Sequence, residues 1–192
     1  MKKKLLVPIE ISARHVHLCQ NDFVRLFGKR QKFKKIKNLS QSGEFVSQQT
    51  VDLYHHGYSL KKVRVVGPWR EQTQVELSVT DCWHLRIKPV LRLSGELSQT
   101  TGILLKYKNK EVVLLRGVIV AKRHWHLSTK LAQQYGLLNK KKVCARVSGE
   151  RGGIIDNIII RHADNYHSHI HLDTDEANAW GLLANAKVEI IL

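Results

Sequence analysis

The chain has 192 residues, 43% of them hydrophobic and 25% charged. That length suits one domain or two small ones, and that composition argues against disordered and collagen-like architectures. Lys and Arg number 32 against 16 Asp and Glu, a formal charge of +16, so an anionic partner is expected: nucleic acid, an anionic membrane surface or a phosphate-rich small molecule.

Along the chain, β-branched runs dominate. MKKKLLVPIEIS opens with lysines but lacks the apolar stretch and cleavage site of a signal peptide, and residues 5–11 read as a strand. RHVHL, from Arg14 to Leu18, reads as a second strand, followed by a helix of about two turns over residues 20–27. The run Lys29, Arg30, Lys32, Lys34, Lys35 and Lys37 reads as a solvated basic face. Strands are predicted over 62–66 and 74–79 with a Gly67-Pro68 turn between them, and KYKNKE near Tyr107 reads as a polar turn. Further strands follow over 112–121, 142–147, 154–160 and 187–192, with helices over 129–135 and 173–183. This pattern favours a mainly β fold of small barrels with short capping helices over a doubly wound βαβ sheet. Cys19, Cys82 and Cys144 contain no C-x-x-C and fit a reducing compartment. No window nears the ~20 apolar residues of a membrane-spanning helix.

The chain also repeats itself. RHVHL returns as RHWHL from Arg123 to Leu127, each copy after an apolar strand and before a short helix. TDCWHL from Thr80 is echoed by TDEANAWGL from Thr174. Two related β-barrel halves are expected, 1–110 and 111–192, with terminal strands able to cross between them.

Within a strand, His15 and His17 point to one face with Cα atoms about 6.6 Å apart, close enough to converge on a metal. His124 and His126 repeat the arrangement, which indicates two related metal positions or one shared site. HSHIHLDTDEAN adds His167, His169 and His171, and periodicity does not choose among them. GPWREQTQVE adds Arg70, a planar donor suited to phosphate or carboxylate, and Glu76, an oxygen ligand. RGG at 151–153 is a weaker phosphate-loop candidate, and no GxSxG, P-loop or dinucleotide motif occurs. Cys19 reads as an ordinary reduced thiol, and the four tryptophans either stack on bases or, at least as readily, pack cores.

Together SARHVHL, GPWREQTQVELSVTD, RLSG, GVIVAKRHWHLS and HIHLDTDEANAWGL span nearly the whole chain and resemble the phosphate propanoyltransferase family, the microcompartment-type phosphotransacylases. The resemblance implies two small β-barrels, two bound metal ions and acyl transfer between coenzyme A and phosphate. It assigns His15, His17 and Glu76 to one metal, His124, His126 and His171 to the other, and Arg70 to phosphate. Arg14 and Arg123, each adjoining a histidine pair, become candidates for the substrate side or for support of the metals. Zinc is the expected ion, since three histidines, or two and a glutamate, are common zinc ligand sets. The expected partners are acyl-CoA (acetyl or propanoyl), inorganic phosphate and acyl phosphate, with a homodimer favoured. Family members directed into microcompartments can carry an added N-terminal segment. Here SARHVHL begins after Ile11, so a cytoplasmic bacterial enzyme is expected, with microcompartment association as the alternative. Departures from the family pattern are DCWHLRI, which replaces a small-residue and glycine pattern, and an added residue in PVLRLSG. The competing class is a basic nucleic-acid-binding protein using residues 29–37, and a shell or metal-storage protein is a third.

Overall fold

A computed structural model describes residues 4–192. In chain order the elements are strands Leu6–Ser12 (β1) and His15–Cys19 (β2), helix Gln20–Phe27 (α1), strands Lys35–Asn38 (β3), Phe45–His55 (β4), Tyr58–Arg70 (β5) and Gln74–Glu76 (β6), and helix Val79–His84 (α2). Strands Leu91–Arg92 (β7), Thr101–Tyr107 (β8), Lys110–Ala121 (β9) and His124–Leu127 (β10) follow, then helix Thr129–Gln134 (α3). Strands Lys142–Val147 (β11), Gly153–His162 (β12) and His169–Asp173 (β13), helix Thr174–Ala179 (α4) and strand Lys187–Ile191 (β14) complete the chain.

These elements form two compact units. One comprises the described residues up to Ser12, Ser40–Ser42 and Lys122–Leu192; the other comprises Ala13–Leu39 and Gly43–Ala121. Each is a closed barrel of six strands. The first runs β1-β13-β10-β12-β11-β14 and back to β1. The second runs β9-β6-β2-β5-β4-β8 and back to β9, with β3 and β7 attached outside the ring. Strand for strand the two rings match, including direction: β1/β13 and β9/β6 are parallel, as are β10/β12 and β2/β5. The other neighbours in both rings are antiparallel. Ring closure leaves the six strands no free edge.

The order of strands shows an exchange. β1, immediately before the first histidine pair, closes the barrel of the second pair, whereas β9, immediately before the second pair, closes the barrel of the first. Each interior is apolar. Val16, Phe23, Leu53, Leu85 and Leu105 fill one core, and Ile9, Trp125, Leu127, Ile158 and Ile170 the other. Val16 and Trp125 are the middle residues of the two H-x-H motifs and are fully buried. Strand alternation therefore turns the histidines to the outer face of each barrel.

Three local expectations change. Residues 67–70 continue β5 rather than forming a turn, through a cis Gly67–Pro68 bond. The expected strand over 74–79 stops at Glu76, because Ser78 caps α2. The helix over 173–183 is shorter, with Asp173 as its N-cap and Ala179 its last residue.

Candidate active site

Register places the site residues. His15 lies directly opposite Glu76 on β6, and His124 directly opposite His171 on β13. Each barrel thus carries a histidine pair on one strand and a third candidate ligand on its antiparallel neighbour. Of the three histidines in HSHIHL, ligand-atom proximity brings His171 to the pair, its Nε2 lying near His126 Nδ1. His169 pairs with His126, and its burial, followed by the neighbouring His167, lowers its pKa.

In the first cluster His15 Nε2 lies 3.1 Å from His17 Nε2, His15 Nε2 lies 3.7 Å from Glu76 Oε2, and His17 Nε2 lies 3.8 Å from Glu76 Oε1. In the second, His126 Nδ1 lies 3.2 Å from His171 Nε2, and the rings of His124 and His171 stack with centroids 4.8 Å apart. In each cluster one ligand atom per residue falls within 4.8 Å of the others. A tetrahedral ion binding nitrogen and oxygen at about 2.0–2.1 Å separates neighbouring ligand atoms by about 3.3–3.4 Å. The donor spacing brackets that value, so both sets fit a divalent metal.

Tautomers fit as well. His15 Nδ1 is 2.9 Å from the carbonyl of Ala13, and His124 Nδ1 is 2.8 Å from that of Lys122, the same residue two positions upstream in both repeats. A carbonyl only accepts, so each Nδ1 carries the proton and donates it, and each Nε2 presents a lone pair. Burial, then the neighbouring His15 and Arg70, pushes the pKa of His17 well below its ordinary value. Burial, then His124 and His126, does the same to His171. Both rings are therefore held neutral, the form that binds metal.

Supporting residues come from elsewhere in the chain. Glu76 Oε1 accepts from Gln74 Nε2 at 2.5 Å and from Ser94 Oγ at 3.1 Å, while Gln74 Oε1 accepts from the amide of Gly95 at 2.7 Å. Glu10 on β1 pairs with His171 and brings Oε2 to 3.9 Å from its Nε2, so each histidine pair has one carboxylate nearby. Gln41 donates to the carbonyl of His167 at 3.0 Å and accepts from its amide at 3.2 Å. Gln74 and Ser94 lie inside the motifs QTQVE and RLSG and could have been singled out from them. Glu10 and Gln41 carry no local signal.

Arg70 reaches the first cluster through an irregularity in pairing: His17 is opposite Val66, but Cys19 is opposite Arg70. The surplus residues of β5 bulge, and a bulge re-aims the side chain beyond it. Gly67 permits this approach, since a Cβ there would sit 2.3 Å from the Phe45 ring. Arg70 Nη2 lies 2.9 Å from Glu44 Oε1 and 3.4 Å from His17 Nε2. Its Nη1 and Nε make no hydrogen bond among the described residues, so these N–H groups stay open to an anion. Glu44, which holds Arg70, gave no sign in the sequence.

Arg14 and Arg123 are engaged in ion pairs, Arg14 Nη2 with Asp81 Oδ1 at 2.9 Å and Arg123 Nε with Glu176 Oε1 at 2.6 Å. Lys35 and Lys37 of the basic run lie on an exposed strand, β3. No described helix is long and apolar enough to cross a membrane.

Fold and site together define a duplicated β-barrel protein with one three-residue cluster per barrel that could hold a metal ion, and an arginine beside one of them. A family model described as phosphate propanoyltransferase matches residues 8–183. Relatives named phosphate propanoyltransferase include one from Clostridioides difficile, 38% identical over 100% of this chain and 91% of its own length. One from Thermotoga maritima is 39% identical over 93% and 86%, and one from Shewanella putrefaciens is 42% identical over 92% and 83%. The chain belongs to the phosphate propanoyltransferase family.

Proposed function

We propose that this protein is a metal-dependent phosphate acyltransferase that interconverts acyl-CoA plus phosphate with acyl phosphate plus coenzyme A, acetyl and propanoyl being the leading acyl groups. The observation that carries the reading is the pair of three-residue clusters with Arg70 beside one of them. The relatives' names supply the reaction class. His15, His17 and Glu76 would hold one divalent ion and His124, His126 and His171 the other, zinc being the first choice for both sets. Such ions, when bound, supply Lewis acidity and positive charge against the negative charge that develops in acyl transfer.

The chain's own residues do the rest. The open N–H groups of Arg70 bind phosphate, and Glu44 fixes the guanidinium plane. Ala13 and Lys122 carbonyls keep the Nδ1 protons of His15 and His124 in place, so neither ring donates from Nε2. Arg70 also balances charge as an oxygen of phosphate attacks the thioester carbonyl carbon. The carbon–oxygen bond forms, the carbon–sulfur bond breaks, and coenzyme A leaves as thiolate and takes a proton from solvent. The formal charge of +16 steers the polyanionic coenzyme. Cys19, Cys82 and Cys144, which form no disulfide among the described residues, support with the bacterial relatives a reducing bacterial cytoplasm.

The test is thioester loss from acetyl-CoA and propanoyl-CoA by zinc-loaded protein. Turnover that needs both phosphate and metal is expected. No turnover with zinc or cobalt across an acyl-chain panel refutes the reading, and a kinetically competent acyl-enzyme refutes direct attack.

A further inference from the structure

Both H-x-H motifs are preceded by an arginine, and both arginines do the same thing. Arg14 pairs with Asp81 and Arg123 with Glu176. Asp81 and Glu176 are themselves equivalent: each is the third residue of a short helix and closes a capping box. Asp81 Oδ2 accepts from the amide of Ser78, and Glu176 Oε2 from that of Asp173, each at 3.3 Å. In return, Ser78 Oγ accepts from the amide of Asp81 and Asp173 Oδ1 from that of Glu176. One carboxylate oxygen therefore closes the cap and the other takes the arginine, in both barrels. The TD echo visible in the sequence is one residue out of this register, because Asp81 corresponds to Glu176 rather than to Asp175.

What the caps follow is informative. Ser78 stands two residues after Glu76, and Asp173 two residues after His171. Each arginine stands between His15 or His124 and the residue whose carbonyl takes that ring's Nδ1 proton, Ala13 or Lys122. The ion pair thus ties the backbone that orients the first histidine to the cap that ends the strand of the third ligand. Asp81 has only 4% of its side chain exposed and Glu176 18%. Burial raises the pKa of Glu176, and Arg123 opposes that rise. A nearly buried carboxylate without its arginine would be left poorly compensated, so the connection is costly to break.

We propose that Arg14 and Arg123 are positioning residues, a matched pair of clamps, each setting the geometry of one three-residue cluster and acting on that cluster alone. The proposal rests on the reading of the clusters as metal sites. It takes the two arginines out of direct contact with substrate.

The experiment uses full-length protein loaded with cobalt, whose visible spectrum reports ligand geometry, and follows release to an excess of chelator. Glu76→Ala and His171→Ala, each expected to retain one equivalent, assign the two release phases. Arg14→Ala should release the equivalent held by His15, His17 and Glu76 about 10-fold faster while the other keeps its wild-type rate, and Arg123→Ala should do the reverse. Asp81→Asn and Glu176→Gln should reproduce the respective effects. Arg14→Lys and Arg123→Lys should restore most of the rate, and they keep the test alive should an alanine variant fail to fold. Unchanged release, or equal acceleration of both phases, overturns the clamps and marks the ion pairs as general supports of the fold. Wild-type protein that takes up no cobalt overturns the metal reading itself, and the clamps with it.

Discussion

Gln74 gives the sharpest test of how the first cluster is built. It is 3% exposed, and its amide donates to Glu76 Oε1 and to Ser94 Oγ and accepts from Gly95 N. Gln74→Ala deletes three hydrogen bonds, one of them to a carboxylate. At about 1 kcal/mol for each neutral bond and about 1.5–3 for the charged one, the gross loss is about 4 kcal/mol. Water entering the vacated polar space restores part of this, leaving about 2–3 kcal/mol. For a chain of this size that lowers the melting temperature by roughly 4–12 °C. The consequence for function is more selective. Of the two side-chain hydrogen bonds that Glu76 accepts among the described residues, the one from Ser94 remains, and loss of such a support weakens metal binding by about 10–100-fold. Cobalt titration against a competing chelator should show one weakened equivalent and one unchanged. If the protein loses 2–3 kcal/mol while both equivalents bind as in wild type, Gln74 holds only the strand, and the reasoning about Glu76 fails.

Arg70→Lys keeps the charge but loses the planar fork, so KM for phosphate in the thioester assay should rise about 10–100-fold with metal content unchanged. An unchanged KM would remove Arg70 from the phosphate site. Trp125→Ala empties the centre of its barrel and deletes the bond from Nε1 to Ser168 Oγ, and should cost about 3–5 kcal/mol in denaturant unfolding. Gly67→Ala forces the Phe45 ring aside at the bulge that carries Arg70, and should cost about 1–3 kcal/mol while raising KM for phosphate.

The parts legible in the sequence are those whose cause is local. Residues 20–27 alternate polar and apolar groups with helical spacing, and α1 covers that range. The β-branched runs at 142–147 and 154–160 became β11 and most of β12. Phe45–His55 escaped because Ser47, Gln48, Gln49 and Asp52 dilute its apolar pattern; its place is set by pairing with β5 and β8. Similarly, Gly67-Pro68 has the composition of a turn, yet neighbouring β2 and β4 hold it extended. At the site, repetition of R-H-x-H-L exposes four histidines directly. The third partner is decided by side-chain proximity: His169 and His171 share a face by alternation and each lies opposite a histidine of the pair, but the ligand atoms that converge are those of His171. Glu10 and Glu44 lie far in sequence from the groups they approach, where no spacing rule reaches.

The strand exchange limits what any linear cut can isolate. Dividing the chain at 110/111 leaves β1 with the sequence half of the first histidine pair, although β1 bonds β13 and β14 and buries Val7 and Ile9 in the other core. A fragment of residues 122–192 would therefore expose two strand edges at once, together with the apolar surface those side chains cover. It should not fold cooperatively. A peptide of residues 4–12 added in trans supplies the missing pairing and two core residues, and should restore dispersed amide signals in the fragment's NMR spectrum at millimolar concentration. If residues 122–192 fold cooperatively without the peptide, the barrel does not depend on closure by β1. Restoration by the peptide, but not by one with Val7→Asp and Ile9→Asp, would show that the exchanged strand acts through its buried face as well as its backbone.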